Sequence, residues 1–247
     1  MIKDNKIKLL QWNLFQFLYL LFFSAIVWFL WNWEFSRNFL DIVDLKIFYF
    51  LNGFIESSKT SQIFWALLNS RLADLIPAIL IFILLLSYIK DENILISLER
   101  VLIIIFFITS AALVIVIFKS LIFYDIDRLS PSLVIDTSVK LSDKVPWAYP
   151  KDESQASFPG DHATVLLLCV LFFRYFSTKK MTYLSICILL FFMMPRLVSG
   201  AHWFTDIIIG STIITSTFYA FFVKTPLVKK IIEKVIYHKK IRRYFTK

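Results

Sequence analysis

Apolar residues in this chain gather into six long runs, at 14–33, 73–89, 101–123, 162–176, 181–195 and 203–223, divided by short polar stretches. A helix that crosses a bilayer needs about 20 apolar residues, within a range of roughly 17–25. The fourth and fifth runs are short but gain length from flanking aromatics. Six membrane spans are therefore predicted. Between residues 37 and 68 the pattern is mixed, DIVDLKIFYFLNGF and then SQIFWALL. That spacing predicts amphipathic helices lying in the membrane interface. The expected class is an all-α integral membrane protein, a six-transmembrane-helix bundle with interfacial helices on one side.

Composition sharpens this picture. Hydrophobic residues make up 58% of the 247 positions and mean hydropathy is +0.71, whereas soluble domains run nearer 45–50% apolar. No internal repeat and no long soluble stretch interrupts the runs, so residues 1–247 read as one membrane-embedded domain. No small-residue cleavage site follows the first run, which makes it an uncleaved anchor rather than a signal peptide. Cys169 and Cys187 lie inside apolar runs without CxxC spacing or neighbouring histidines. They read as packing residues, and neither a metal nor a cofactor is expected.

Charge sets the orientation. With six spans both termini share a side, and the segments there (1–13, 90–100, 174–180 and 224–247) carry seventeen Lys and Arg. Nine are spread over the longer loops opposite. The richer side is cytoplasmic. The tail from 224 to 247 accounts for much of the net charge of +9. Its Leu227, Val228, Ile231, Ile232, Val235 and Ile236 recur at helical spacing, which suits a helix on an anionic inner leaflet. A nucleic-acid partner is not expected; membrane lipids are.

The outer side concentrates the chemistry. The polar loop 124–161 opens with DRLSPS and closes with ASFPGDHA, just before His162. Arg196 and His202 are separated by five residues, too few to cross a bilayer, so Arg196, His202 and Asp206 share that side with Arg128 and His162. Charged groups at membrane depth are costly and mark functional paths. On a helix His202 and Asp206 stand at i and i+4, where the aspartate would hold one imidazole nitrogen and leave the other as nucleophile. Two arginines suit a phosphate, and the second histidine suits a general acid. Singly, each residue reads as an interfacial anchor or a helix-surface contact; together they fit phosphoryl transfer through a phosphohistidine. His238, alone in the basic tail, carries no such reading.

These residues resemble a known family. Arg196-x5-His202-x3-Asp206 is similar to the third motif of the type 2 phosphatidic acid phosphatase superfamily, and Ser-Phe-Pro-Gly-Asp-His at 157–162 stands where its second motif falls. The first would be Arg128 to Pro131, with Lys119 upstream. The resemblance implies a metal-free six-span bundle with His202 as nucleophile, His162 as acid, Asp206 orienting the nucleophile, and Arg128, Arg196 and Lys119 binding phosphate. Two departures stand out. The usual Pro-Ser-Gly-His reads Pro159-Gly160-Asp161-His162 here, so the serine hydroxyl is missing and a carboxylate stands beside the histidine, and eight residues rather than six separate Lys119 from Arg128. SFPGDH, PRLVSGAHWFTDIIIGS, IFYFLN and the Asn69-x-Arg71-x-x-Asp74 stretch resemble the lipid A 1-diphosphate synthase (Kdo2-lipid A phosphotransferase) branch of Gram-negative bacteria.

That branch implies transfer of a phosphate from undecaprenyl diphosphate to the 1-phosphate of lipid A, on the periplasmic face of the inner membrane. Asp161, Ser157, Gly160, Ser130, Arg71 and Asp74 are then candidates for supporting the site or positioning the acceptor. Asp161 would either repel hydroxide or help place an incoming phosphate. Two rival readings use the same residues: a lipid pyrophosphate phosphatase with water as acceptor, and a non-catalytic transporter in which the cluster is a relay.

Overall fold

The computed structural model describes residues 12–90 and 94–236. Lys3, Lys6 and Lys8, and the tail beyond Ile236 with His238, lie outside them. The described residues form helices in the order α1 (Leu14–Asn32), α2 (Glu34–Glu56), α3 (Lys59–Leu68), α4 (Leu75–Ile89), α5 (Ile94–Ile117), short α6 (Pro131–Val134) and α7 (Leu141–Lys144), α8 (Asp161–Phe176), α9 (Lys179–Val198), α10 (Ser211–Lys224) and α11 (Leu227–Ile236). Two π-helical turns extend this set, Phe118–Ile122 at the end of α5 and Asp206–Gly210 before α10. No strand occurs among the described residues.

Every predicted run contains a helix. Four are long and apolar enough to cross a membrane: Leu14–Asn32, Ile96–Ile122, Lys179–Val198 and Asp206–Lys224. Helices α4 and α8 have 15 and 16 residues, about 22–24 Å at 1.5 Å per residue, short of a ~30 Å hydrocarbon core. Helix α1 exposes Phe15, Phe22 and Phe29 along one face, as a lipid-facing helix does. Its opposite face meets α10 through Ser24, whose Oγ lies 2.6 Å from Ser216 Oγ and accepts from Thr217 at 3.2 Å. Between apolar helices such hydroxyl pairs supply the specificity that oil against oil does not.

The mixed segment divides into α2 and α3, both amphipathic. Helix α2 buries Asp44, Phe48, Leu51, Asn52 and Ile55 at helical spacing and packs on α9. The Asn52 amide donates to the carbonyls of Val139 and Val198 at 3.1 and 3.0 Å and accepts from Val139 N at 2.9 Å. It thereby ties the polar loop to the end of α9. The basic tail differs from expectation. Val228 and Ile232 of α11 are buried, and α11 packs on α5, so part of the apolar face meant for a leaflet is covered by protein.

The end of α9 sets up the site. Gly200 takes φ +74°, the Ala201 amide donates to Arg196 O at 3.0 Å and the Gly200 amide to Leu197 O at 3.2 Å. This is a Schellman motif, with glycine where a Cβ would be strained. A Cβ there would also lie 2.8 Å from the Phe48 ring.

Gly200→Val should therefore cost about 2 kcal/mol or more, roughly 4–8 °C in Tm, measured by thermal unfolding in detergent. Gly53→Ala, with open space around its would-be Cβ, should leave Tm unchanged or slightly raised. Equal melting of the two variants would refute the assignment of strain to Gly200.

Candidate active site

The site is assembled from helix ends. Arg196 stands in the last turn of α9, and the Schellman turn carries the chain through Ala201 to His202. Helix resumes at Phe204, where Asp206 Oδ2 accepts from the Trp203 amide at 2.8 Å. A carboxylate three residues into a helix reaching back to the N-cap amide is half of a capping box. The Arg-x5-His-x3-Asp spacing is thus one helix stop followed by one helix start.

His202 departs from the predicted geometry. It lies in the turn, not on a helix with Asp206, and its Nδ1 is 3.9 Å from Asp206 Oδ2. Nδ1 sits instead 2.7 Å from the Ser157 carbonyl oxygen. A carbonyl only accepts, so the proton is on Nδ1 and Nε2 keeps a free lone pair. Burial pushes the His202 pKa down to about 4; the Ser157 bond opposes this, while the charges of Arg196 and His162 add to it. The imidazole is neutral at ordinary pH.

Arg196 is 4% exposed. It donates to Asp74 Oδ1 at 2.5 Å and to Asn69 Oδ1 at 2.7 Å. Asp74 Oδ2 also lies 3.2 Å from His162 Nε2, so one carboxylate bridges the second histidine and the arginine. Lys119, on the π turn that ends α5, pairs with Asp161 Oδ2 at 2.7 Å, both about half exposed. Asp161 opens α8 next to His162. Asp74, Asp161, His162 and Arg196 line the polar end of a cleft of about 260 Å³, whose other walls are apolar residues of α4, α8 and α9 including Ile81, Leu166 and Met193.

Arg128, expected to bind phosphate, is engaged elsewhere. Its Nη1 donates to Thr205 Oγ1 at 2.8 Å and Asp206 Oδ1 at 2.5 Å; its Nη2 donates to Asp44 Oδ2 at 2.7 Å and Asp41 Oδ1 at 3.2 Å. The guanidinium lies 5.2 Å from the Trp203 ring centre and is not among the residues lining the cleft. The Arg128 carbonyl accepts from the Ser157 amide at 2.8 Å and hydroxyl at 3.0 Å. Its backbone therefore fixes the serine whose own carbonyl holds His202.

Asp44 and Thr205 complete this clamp. Asp44 accepts from the Thr205 amide at 2.9 Å and hydroxyl at 2.5 Å. Burial pushes the Asp44 carboxyl above its usual range, against the pull of Thr205 and Arg128. Sequence reasoning missed Asp44, although a carboxylate on the apolar stripe 44, 48, 51, 55 was the available signal. Asn69 was missed as the partner of Arg196.

The remaining candidates are scattered. Ser130 is buried within the loop, where its Oγ accepts from the Ser154 amide at 2.9 Å. Gly160 donates to Asp206 O at 3.2 Å, and a Cβ on it would come within 3.2 Å of Ile207. Arg71 is exposed on the turn after α3, facing an outer bowl rather than the cleft. Among the described residues no three His, Cys, Asp or Glu gather as metal ligands.

Residues 100–229 match the PAP2 superfamily. The lipid A 1-diphosphate synthase of Escherichia coli (strain K12) is 33% identical over 205 residues, covering 82% of this chain and 84% of that protein. No solved structure matches the chain.

With three histidines in the chain, selective 15N-histidine labelling resolves the titration of each. His202 should hold the Nδ1–H tautomer through pH 6 and protonate near pH 4. The unfolded imidazole titrates near 6.5, so the unfolded chain binds more protons between those values. Stability is therefore lost as pH falls from about 6.5 toward 4. A His202 midpoint at 6.5 would contradict the buried, carbonyl-held geometry.

Proposed function

This chain belongs to the PAP2 superfamily, and we propose that it is a lipid phosphotransferase that moves a phosphate from undecaprenyl diphosphate to the 1-phosphate of lipid A or Kdo2-lipid A. The observation that carries this reading is the bond from His202 Nδ1 to the Ser157 carbonyl, which leaves Nε2 unprotonated on a ring that feels the charges of Arg196, His162 and Asp161 without itself lining the cleft. The 33% identity to a lipid A 1-diphosphate synthase supports the acceptor.

In the first half-reaction His202 Nε2 attacks the terminal phosphorus and the bond to the bridging oxygen breaks. Undecaprenyl phosphate leaves as His162 donates a proton to that oxygen. In the second, an oxygen of the acceptor's 1-phosphate attacks phosphorus, the N–P bond breaks, and lipid A 1-diphosphate is released. Arg196 and Lys119 bind the transferring phosphate by displacing their carboxylate partners Asp74 and Asp161. Asp206 and Arg128 act by positioning: they fix the helix start and Ser157, and through these His202. The apolar walls of the cleft accept the polyprenyl tail.

The whole chain serves as one such domain. Six spans, with α4 and α8 tilted or flanked by aromatics, place both termini in the cytoplasm. Helices α2 and α3 then lie in the periplasmic interface of the inner membrane, beside the site.

The rival with support is a phosphatase that uses the same residues with water as acceptor, since the PAP2 match fits it equally. Undecaprenyl diphosphate labelled at its terminal phosphate, given to the purified protein with and without lipid A, separates the two. Label should pass to lipid A with little free phosphate; release of free phosphate regardless of lipid A would make the protein a phosphatase. His202→Ala should lower either turnover by roughly 10³-fold or more, and normal turnover in that variant would refute the phosphohistidine. Asp161→Ser should raise hydrolysis relative to transfer, because an uncharged residue no longer repels hydroxide; an unchanged ratio would remove that role.

A further inference from the structure

Beside the cleft, on the outer loop, lies a second concavity of about 850 Å³ lined by Arg71, Tyr149, Lys151, Asp152 and Glu153 together with Ser142 and two prolines. Its charges are unevenly used. Asp152 Oδ2 accepts from the Ser142 amide at 2.7 Å, and Glu153 pairs with Lys140 at 2.6 Å. Both carboxylates are therefore engaged. Arg71 and Lys151 are exposed, and neither side chain has an ion-pair or hydrogen-bond partner among the described residues. Tyr149, 80% exposed, is held at φ +49°, a conformation costly for a side chain of that size. It presents an open ring at the rim.

Hydrogen bonds through Asn69 connect this bowl to the cleft. Lys151 N donates to Asn69 O at 3.0 Å and Asn69 Nδ2 to Lys151 O at 2.9 Å. The same Asn69 accepts from Arg196 through Oδ1. One layer of residues thus separates two free cations from the arginine that faces the reacting phosphate. Arg71 and Asp74 sit on the same turn, the first toward the bowl and the second toward His162 and Arg196.

We propose that this bowl is the head-group subsite of the acceptor: Arg71 and Lys151 take an anionic group carried on its sugar, and Tyr149 packs against the sugar ring. This rests on the transferase reading above. The donor does not suit the bowl, because a polyprenyl diphosphate has one anionic end, which must lie at His202, and an apolar remainder. A phosphorylated glycolipid has what the bowl recognises, a second anion and a sugar face, set apart from the phosphate that reacts. Charge-assisted bonds from an arginine and a lysine supply the affinity, and the open aromatic ring supplies apolar contact. Two groups have this chemistry, a phosphate on the distal sugar and a carboxylate of the Kdo sugars.

The test is the double variant Arg71→Ala/Lys151→Ala. Its KM for Kdo2-lipid A should rise tenfold or more, with kcat within about twofold of the wild type and an unchanged KM for undecaprenyl diphosphate. Arg71→Lys/Lys151→Arg should restore acceptor KM, which a loss of folding would not allow. Acceptors lacking the distal phosphate or lacking Kdo identify the anion: its removal should weaken the wild type and abolish the difference between wild type and variant. An equal KM for Kdo2-lipid A in both proteins overturns the subsite, as does a difference that persists when both groups are gone. Equilibrium binding of fluorescent Kdo2-lipid A to His202→Ala protein separates this proposal from the function beneath it. If the wild type transfers nothing yet the double variant binds ten times more weakly, the subsite stands and the transferase reading falls; equal binding overturns the subsite alone, whatever the transfer assay shows.

Discussion

One nearly buried cation ties together the elements around the candidate site. Arg128 is bonded at once to Asp44 and Asp41 of α2 and to Thr205 and Asp206 at the start of the last span. Those three segments are far apart in the chain. Ionised groups removed from water are stable only when their partners are complete, and losing one partner strands the others. The cluster therefore behaves as a unit. Its influence reaches His202 by two further bonds, from Ser157 Oγ to Arg128 O and from His202 Nδ1 to Ser157 O. The tautomer of His202 is set by a loop carbonyl that the Arg128 cluster holds in place.

Around that clamp the polar groups divide into two compartments. On one side Arg128 neutralises carboxylates and touches no part of the cleft. On the other, Lys119 with Asp161 and Arg196 and His162 with Asp74 form pairs that are open to exchange. In the reaction proposed above, a phosphate entering the cleft competes with those carboxylates for the same cations, so charge need not be created or buried from nothing when it binds. The Schellman turn at Gly200 ends α9 just after Arg196, and the capping carboxylate of Asp206 starts the next helix.

The π-helical turns belong to the same design. Such widened turns occur mostly as single turns inside α-helices and often at functional sites; here one carries Lys119 and the other Asp206. Gly210, in the second, lies so close to Pro159 that a Cβ would come within 2.6 Å of its side chain. The SFPGDH loop can therefore rest directly on the last helix, which aligns α8 and His162 with the turn bearing His202.

Much of this was legible in the chain itself. Apolar runs are long and the period of a helix is short, so helices and their lipid-facing character follow from local pattern. Arg196, His202 and Asp206 were picked out by their spacing, but the shared helix face expected of His202 and Asp206 was not found, because a helix stop and a helix start fall between Arg196 and Asp206. The partners were not legible. That His202 bonds a carbonyl 45 positions away, that Arg128 turns toward Asp44 rather than the cleft, and that Val228 and Ile232 bury against protein all depend on which faces meet when the bundle closes. A hydrogen bond needs a donor and an acceptor within about 3 Å, and sequence distance says nothing of that. The residue types and their order determined the chemistry available; only the packed bundle decided which group holds which, because burial leaves each charge stable only beside the partner the fold supplies.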